Sequence, residues 1–308
     1  MCRKRICGAE ETAQDGAMRN VLCGLVFLFA PLGVAAEAIT GEVVVVNAAE
    51  STLMLRAADG KTAEYFVGAG DAAIGWQGKT VRGERVKSGK FFRLESIWPA
   101  DARENKMVAE ATAVLQKKVG EKRGSIFLRK GELMPDFALW NQRGELVRAA
   151  DLRGKKVVLN CVFTRCRNAE MCPRQSTQMA ELQRELVAKE IGGVVQVTLT
   201  FDPEYDTPGI LRAYAGAYKI DGKNYHLPVS VKIYLPQLNY NVDQMTDLIR
   251  QQTAAQTDAL MRLFGIVTLE EDGTINHNVA TLIFGPDGKL LHRRDGPRWT
   301  AEEILRRL

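Results

Sequence analysis

Apolar and polar positions divide the chain into two regimes. From Ile39 to Trp98, short apolar or alternating runs are separated by Gly and Asp turns. The runs Gly41 to Val46, Thr52 to Leu55, Thr62 to Val67, Lys79 to Val86 and Phe91 to Ile97 read as five strands, with Ala58, Asp59 and Gly60 making one turn. Regularly spaced short strands of this kind predict a small all-β unit, an OB-like barrel or a sandwich. Asp101 to Lys118 is polar, with Met107, Val108, Ala111, Val114 and Leu115 at helical spacing, and predicts a helical connector.

After Ser125 the period changes. Gln142 to Val147 suggests a hairpin turn, and Lys156 to Phe163 is a continuous apolar run, as expected of a buried strand. Arg174 to Lys189 places Met179, Leu182 and Leu186 on one helical side. A second buried strand follows over Gly193 to Phe201, then helices over Thr207 to Tyr218 and Ala255 to Phe264. Val279 to Phe284 and Lys289 to Arg293 form a hairpin around Pro286, Asp287 and Gly288, and Thr300 to Leu308 closes with a helix. The expected fold class is α/β, a thioredoxin-like domain preceded by the small all-β domain. The expected boundaries are a leader over 1–36, a barrel-like domain over 37–100, a helical linker over 101–125 and the thioredoxin-like domain over 126–308.

The leader is an address rather than a fold. Met18, Arg19 and Asn20 make a short basic start, Val21 to Ala30 is apolar, and Val34, Ala35 and Ala36 resemble a cleavage site. An exported, periplasmic protein is expected, with an uncleaved anchor on the outer side of the cytoplasmic membrane as the alternative. Cys23 precedes the apolar core, the wrong place for a lipoprotein cysteine. The formal charge of +5 over 308 residues is evenly mixed, and no basic stripe with interleaved aromatics appears, so nucleic acid is not an expected partner.

The chemistry concentrates in one short segment. Cys166 and Cys172, with five residues between them, follow the Lys156–Phe163 run and precede a helix opened by Pro173. Proline suits the first helical turn, where its missing N–H costs nothing. The positive end of that helix lowers thiol pKa and favours thiolate, the form that attacks disulfides and binds soft metals. Cys2, Cys7 and Cys23 fall in the leader, so Cys161, Cys166 and Cys172 remain. Cys161 lies inside the apolar run and reads as a buried small hydrophobe.

Several segments then share an order with one family. Pro135-Asp136-Phe137, Phe163-Thr164-Arg165-Cys166, Cys172-Pro173, Phe201 through Pro208, Ile275-Asn276-His277 and Pro286-Asp287-Gly288 resemble the Sco/SenC proteins, from about Glu132 to Leu308. The resemblance implies a thioredoxin-fold copper protein of the exported compartment, linked to cytochrome c oxidase assembly. It also implies a copper site of Cys166, Cys172 and His277. Soft thiolates select Cu(I), and imidazole accepts either oxidation state. Of the three histidines, His226 and His292 have no comparable match. The family's commonest spacing leaves three residues between the cysteines; five mark a longer-loop variant with a less constrained site. Met171 offers a thioether, with packing the simpler role. Asp202 and Asp206 read as turn and helix-cap residues, with an acidic contact near the cysteine loop as the alternative. Pro228 to Thr253 reads as an insertion. The 37–100 domain is similar to small barrels of exported copper carriers, but it contains no histidine and only Met54.

Two functions follow. The first is an assembly factor that delivers copper to the binuclear site of an oxidase, through subunit II, or to another cuproprotein. The second is a thiol–disulfide reductase for exported partners, with Cys166 attacking and Cys172 resolving. A peroxidase is disfavoured: Thr164 stands only two residues before Cys166, and Lys155 to Arg165 contains no proline.

Overall fold

The computed structural model describes residues 36–121, 127–220, 225–226, 256–271 and 274–308. The leader and the 228–253 insertion lie outside the described residues, and of His226 only the backbone is described. Among the described residues no helix is long and apolar enough to cross a membrane.

The five expected strands form a closed barrel. β1 (Glu37–Asn47), β2 (Thr52–Arg56), β3 (Thr62–Phe66), β4 (Thr80–Ser88) and β5 (Phe91–Pro99) run in the order β1-β2-β3-β5-β4, closed by β1 against β4. That order is OB-like, with the short helix α1 (Ala69–Ala72) between β3 and β4. Closure leaves no unpaired sheet edge. Val43, Leu53, Leu55, Val81, Leu94, Ile97 and Trp76 fill the interior.

α2 (Ala102–Glu121) is the helix expected from Asp101 to Lys118. It is packed rather than free-standing: Val108 and Leu115 are buried in the cores of the following sheet. The Trp140 indole N–H donates to Glu104 Oε2 at 3.0 Å. β6 (Ala138–Trp140) and β7 (Leu146–Arg148) make the hairpin expected near Gln142, and a 3₁₀ turn follows over Ala149–Leu152.

The main sheet contains β8 (Lys156–Val162), β9 (Val194–Thr200), β10 (Tyr225–His226), β13 (Ala280–Phe284) and β14 (Leu290–Asp295) in the order β10-β9-β8-β13-β14. β8, β9 and β10 are parallel, and β13 returns antiparallel to β8. Helices α3 (Cys172–Ala188), α4 (Pro208–Tyr218), α5 over residues 256–264 and α6 (Ala301–Leu305) complete the thioredoxin-like layers. Both faces are covered, which explains why β8 and β9 read as continuous rather than alternating runs. Val157, Leu159 and Cys161 pack toward α5, and Val158 packs toward Met179 and Leu182 of α3. Burying such a leucine contributes about 1.5–3 kcal/mol.

The barrel rests on this domain through two close approaches. Gly144, in the β6–β7 turn, has φ +61°, and a Cβ there would lie 2.4 Å from the Trp76 ring. Lys79 Nζ donates to the Gly144 carbonyl at 3.0 Å. At the second contact, a Cβ on Gly209 in the first turn of α4 would lie 2.3 Å from the Asp71 carboxyl of α1. Only hydrogen at these positions admits the neighbour.

Candidate metal centre

Topology brings three distant segments to one end of the sheet. β8 and β9 are parallel, so the loops after them, 163–171 and 201–207, emerge side by side. β13 is antiparallel to β8, with Thr281 opposite Asn160, so the residues just before β13 arrive at the same end. His277 is one of them. It ends β12 (Thr274–His277), which pairs with β11 (Thr268–Glu271) in a two-stranded hairpin.

The result is a compact donor set. The Cys166 and Cys172 sulfurs and a His277 ring nitrogen all lie within 4.8 Å of one another. Cys172 is the first helical residue of α3 and fully buried; Cys166 is partly exposed. His277 Nδ1 lies 2.9 Å from the Asn278 carbonyl. A carbonyl only accepts, so Nδ1 carries the ring proton and Nε2 keeps its lone pair. That lone pair faces Cys172 Sγ at 3.3 Å. The ring is also held by packing, with Phe201 at 4.8 Å and Phe163 at 5.7 Å between centroids.

The two thiols are electrostatically unequal. The Cys172 thiol donates to Cys166, and this contact pulls the Cys166 pKa down to about 5 against the opposing effect of burial; the Cys172 amide assists. Burial pushes the Cys172 thiol up, and the neighbouring Cys166 thiolate adds to the rise. Cys161 is buried in the same core and burial raises it to about 12, consistent with an inert hydrophobe. In metal-free protein, Cys166 is therefore expected to be the thiol that reacts with iodoacetamide. Its rate should be nearly flat from pH 6 to pH 8, because the thiolate is already formed above about pH 5. Peptide mass spectrometry at the 166 position checks this. A rate that climbs about tenfold per pH unit through pH 8 would contradict it.

The five-residue loop between the cysteines is braced. Asn168 Oδ1 accepts from the Glu170 amide at 3.1 Å, and the Met171 amide donates to the Asn168 carbonyl at 3.0 Å. Glu170 pairs with Arg174 at 2.7 Å and with Arg298 at 3.4 Å. These exposed ion pairs contribute little energy each, so they act mainly on geometry. Met171 is the half-buried N-cap of α3.

Asp202 and Asp206 correct the turn-and-cap reading. The N-cap of α4 is Thr207, whose hydroxyl accepts from the Ile210 amide. Asp206 is instead fully buried and accepts from the Thr164 hydroxyl, from the Thr164 amide at 3.3 Å and from the Thr200 hydroxyl. Burial still raises its pKa to about 6 despite these donors. Asp202 pairs with Arg165 at 2.6 Å, and the guanidinium covers the Tyr205 ring at 4.7 Å. Both carboxylates therefore fix the two residues that precede Cys166. Sequence reasoning also missed a buried polar network under α3. Asn160 Nδ2 donates to Gln175 Oε1 at 3.0 Å, and Thr198 donates to Asn160 Oδ1 at 2.6 Å. The one visible signal was Asn160, a polar residue inside an apolar strand. His292 lines a surface cavity on the β14 side, away from the donor set.

A dithiol at the start of a thioredoxin-like α3, completed by an imidazole, defines a class of redox or metal-carrying protein. Comparison with known proteins narrows it. The SCO1/SenC family model matches residues 128–224. The SCO1 protein homolog of Bacillus subtilis is 27% identical over 161 residues, 52% of this chain and 72% of that protein. The mitochondrial SCO2 homolog of Bos taurus is 25% identical over 154 residues, half of each chain. The structure of Bradyrhizobium japonicum ScoI with copper bound aligns with a TM-score of 0.41 at 18% identity, over 58% of this chain and all of that one. Residues 128–224 thus match the SCO1/SenC family, and about half of the chain is similar to SCO1 and SCO2 homologs.

Proposed function

We propose that the protein is a copper-binding cytochrome oxidase assembly factor, with Cys166, Cys172 and His277 as the copper ligands. The observation that carries the reading is the donor set itself, two sulfurs and an imidazole nitrogen within 4.8 Å of one another. Metal–ligand bonds of ~2.0–2.3 Å let one ion bridge donors so placed. Two thiolates with one imidazole are soft donors that select Cu(I) over hard cations. The match of residues 128–224 to the SCO1/SenC family supports the same metal. Binding must displace the Cys172 proton, so capture of the ion is coupled to proton release. His277 is preset for the task, because its Nδ1–H is engaged and its Nε2 lone pair faces the cysteine sulfurs. The cargo site is the binuclear copper centre of an oxidase, through subunit II, or that of another cuproprotein. The working compartment is outside the cytoplasmic membrane, a reading supported by the apolar and small-residue pattern of Val21 to Ala36.

One observation favours a second activity at the same residues. The partly exposed Cys166 is the thiolate and the buried Cys172 the thiol. Cys166 would attack a partner disulfide and release one partner thiolate, which takes a proton from solvent. Cys172 would then pass its proton to His277 Nε2 and attack Cys166, forming the intramolecular disulfide and freeing the second partner sulfur.

The test is anaerobic Cu(I) titration of the reduced full chain against a chelator, beside Cys166→Ala, Cys172→Ala and His277→Ala. One copper per chain is expected at this site, with affinity weakened more than about tenfold in each variant. Loss of copper from the unaltered protein as readily as from the variants would sink the metal reading and leave the dithiol as a redox couple.

A further inference from the structure

The main sheet carries a buried polar row beneath α3. Thr198 of β9, Asn160 of β8 and Thr281 of β13 stand opposite one another across three adjacent strands, each at most 1% exposed. Gln175 of α3, also fully buried, closes the row from above. Its Oε1 accepts from Asn160 Nδ2 at 3.0 Å and from the Thr281 hydroxyl at 3.3 Å. Asn160 Oδ1 in turn accepts from the Thr198 hydroxyl at 2.6 Å. One side-chain oxygen therefore joins α3 to both β8 and β13.

Those three elements carry the donor set. Cys172 opens α3 three residues before Gln175, and positions three apart share a helix face. Cys166 follows Asn160 by six residues, just beyond β8, and His277 precedes Thr281 by four, just before β13. The apolar packing of Met179 and Leu182 on Val158 is non-directional and sets no register. Gln196 Nε2 donates to the Met179 carbonyl at 2.8 Å, but that tie reaches only β9, which bears no donor. Glutamine is a costly residue at position 175. Its Nε2 is sealed from solvent without a partner, a penalty that leucine would avoid. What it supplies in exchange is an acceptor with directional demands on two strands.

We propose that Gln175 is a positioning residue for the donor set, its side-chain oxygen fixing the start of α3, and so Cys172, against the strand ends that place Cys166 and His277. It acts through Asn160 and Thr281 rather than on the donors themselves. The two arms have separate effects. The Asn160 arm sets the distance between the sulfurs, and the Thr281 arm sets the approach of the imidazole to them. The role deepens the copper reading above, and rests on it only where copper is the probe.

Two probes read this geometry in the reduced full chain, with Cys2, Cys7 and Cys23 changed to serine. Phenylarsine oxide binds where two thiols reach one arsenic, forming two As–S bonds and releasing water. Cu(I), in competition with a chelator, reads all three donors. Cys166→Ala sets the arsenical background, and near-UV circular dichroism confirms that each variant is folded at the temperature of measurement. Gln175→Leu is expected to weaken both probes about tenfold, and Gln175→Glu, whose carboxyl oxygen still accepts, to bring both back within about threefold. Thr281→Val is expected to weaken Cu(I) about threefold and leave the arsenical unchanged, whereas Asn160→Leu weakens the arsenical by about as much. A folded Gln175→Leu chain that binds both probes within about twofold of the unaltered one would overturn the proposal. Should that variant not fold, the two arm variants decide, and unchanged binding in both overturns it. An unaltered chain that does not hold Cu(I) would sink the copper reading alone, and the arsenical would still decide the role of Gln175.

Discussion

Changing Asp71 to asparagine is expected to stabilise the protein at pH 8 by about 2–4 kcal/mol and to leave its stability at pH 4 nearly unchanged. Asp71 belongs to α1 of the barrel and packs onto Gly209 in the first turn of α4. Its Oδ1 is sealed from solvent without a hydrogen-bond partner. Burial alone raises its pKa from 3.8 to about 7. One pH unit of displacement is worth about 1.4 kcal/mol, so the full penalty for ionising in place is roughly 4 kcal/mol. The positive end of α4 opposes it, by up to about 2 kcal/mol. The sign follows from proton counting. Between pH 4 and pH 7 the folded protein holds a proton that the unfolded chain has released, so stability falls as pH rises. Asparagine has the shape of the protonated acid and does not titrate. The stability difference between variant and unaltered protein, from urea melts at pH 4, 6 and 8, should therefore grow across the series. A difference that stays constant with pH would contradict the account.

Asp71 also shows where sequence reading stops. The five barrel strands, α2, the cysteine helix and the closing hairpin follow from local periodicity and turn chemistry, and all of them form. The strand–loop–helix around Cys166 and Cys172 was legible because its chemistry is local: an apolar run, two thiols and a proline. His277 was legible through family resemblance, but its hairpin was not. β11 and β12 are only four residues each, and Val267 and Leu269, at the start of the hairpin, are each 61% exposed, so little periodicity marks it in the sequence. Asp206 was misread because Asp and Thr are both good caps and stand side by side; Thr207 takes the cap, and only the parallel pairing of β8 and β9 brings Thr164 to the carboxylate. The Asp71–Gly209 contact joins positions 138 residues apart and has no local signal at all.

The same long-range clamp supports the second large effect. Asp206→Ala is expected to cost about 3–5 kcal/mol and to weaken metal binding without touching a ligand. Three donors converge on this carboxylate: the Thr164 hydroxyl, the Thr164 amide and the Thr200 hydroxyl. Alanine would leave all three without an acceptor in a site that solvent does not reach, at about 1–3 kcal/mol each before relaxation. Thr164 stands two residues before Cys166, whose amide donates to the Phe163 carbonyl at 3.3 Å. Loosening the Thr164 backbone therefore frees the Cys166 sulfur while Cys172, fixed in α3, stays in place. Asparagine gives a discriminating control. Its carbonyl oxygen can still accept from the Thr164 amide, and the threonine hydroxyls can rotate to accept from its amide group, so Asp206→Asn should cost about 1 kcal/mol. Urea denaturation and Cu(I) competition on the three proteins would be read together. The clamp predicts the order unaltered, Asn, Ala in both measurements. An alanine variant within about 0.5 kcal/mol of the unaltered protein, or one that loses stability but binds Cu(I) equally well, would show that Asp206 does not hold the cysteine loop.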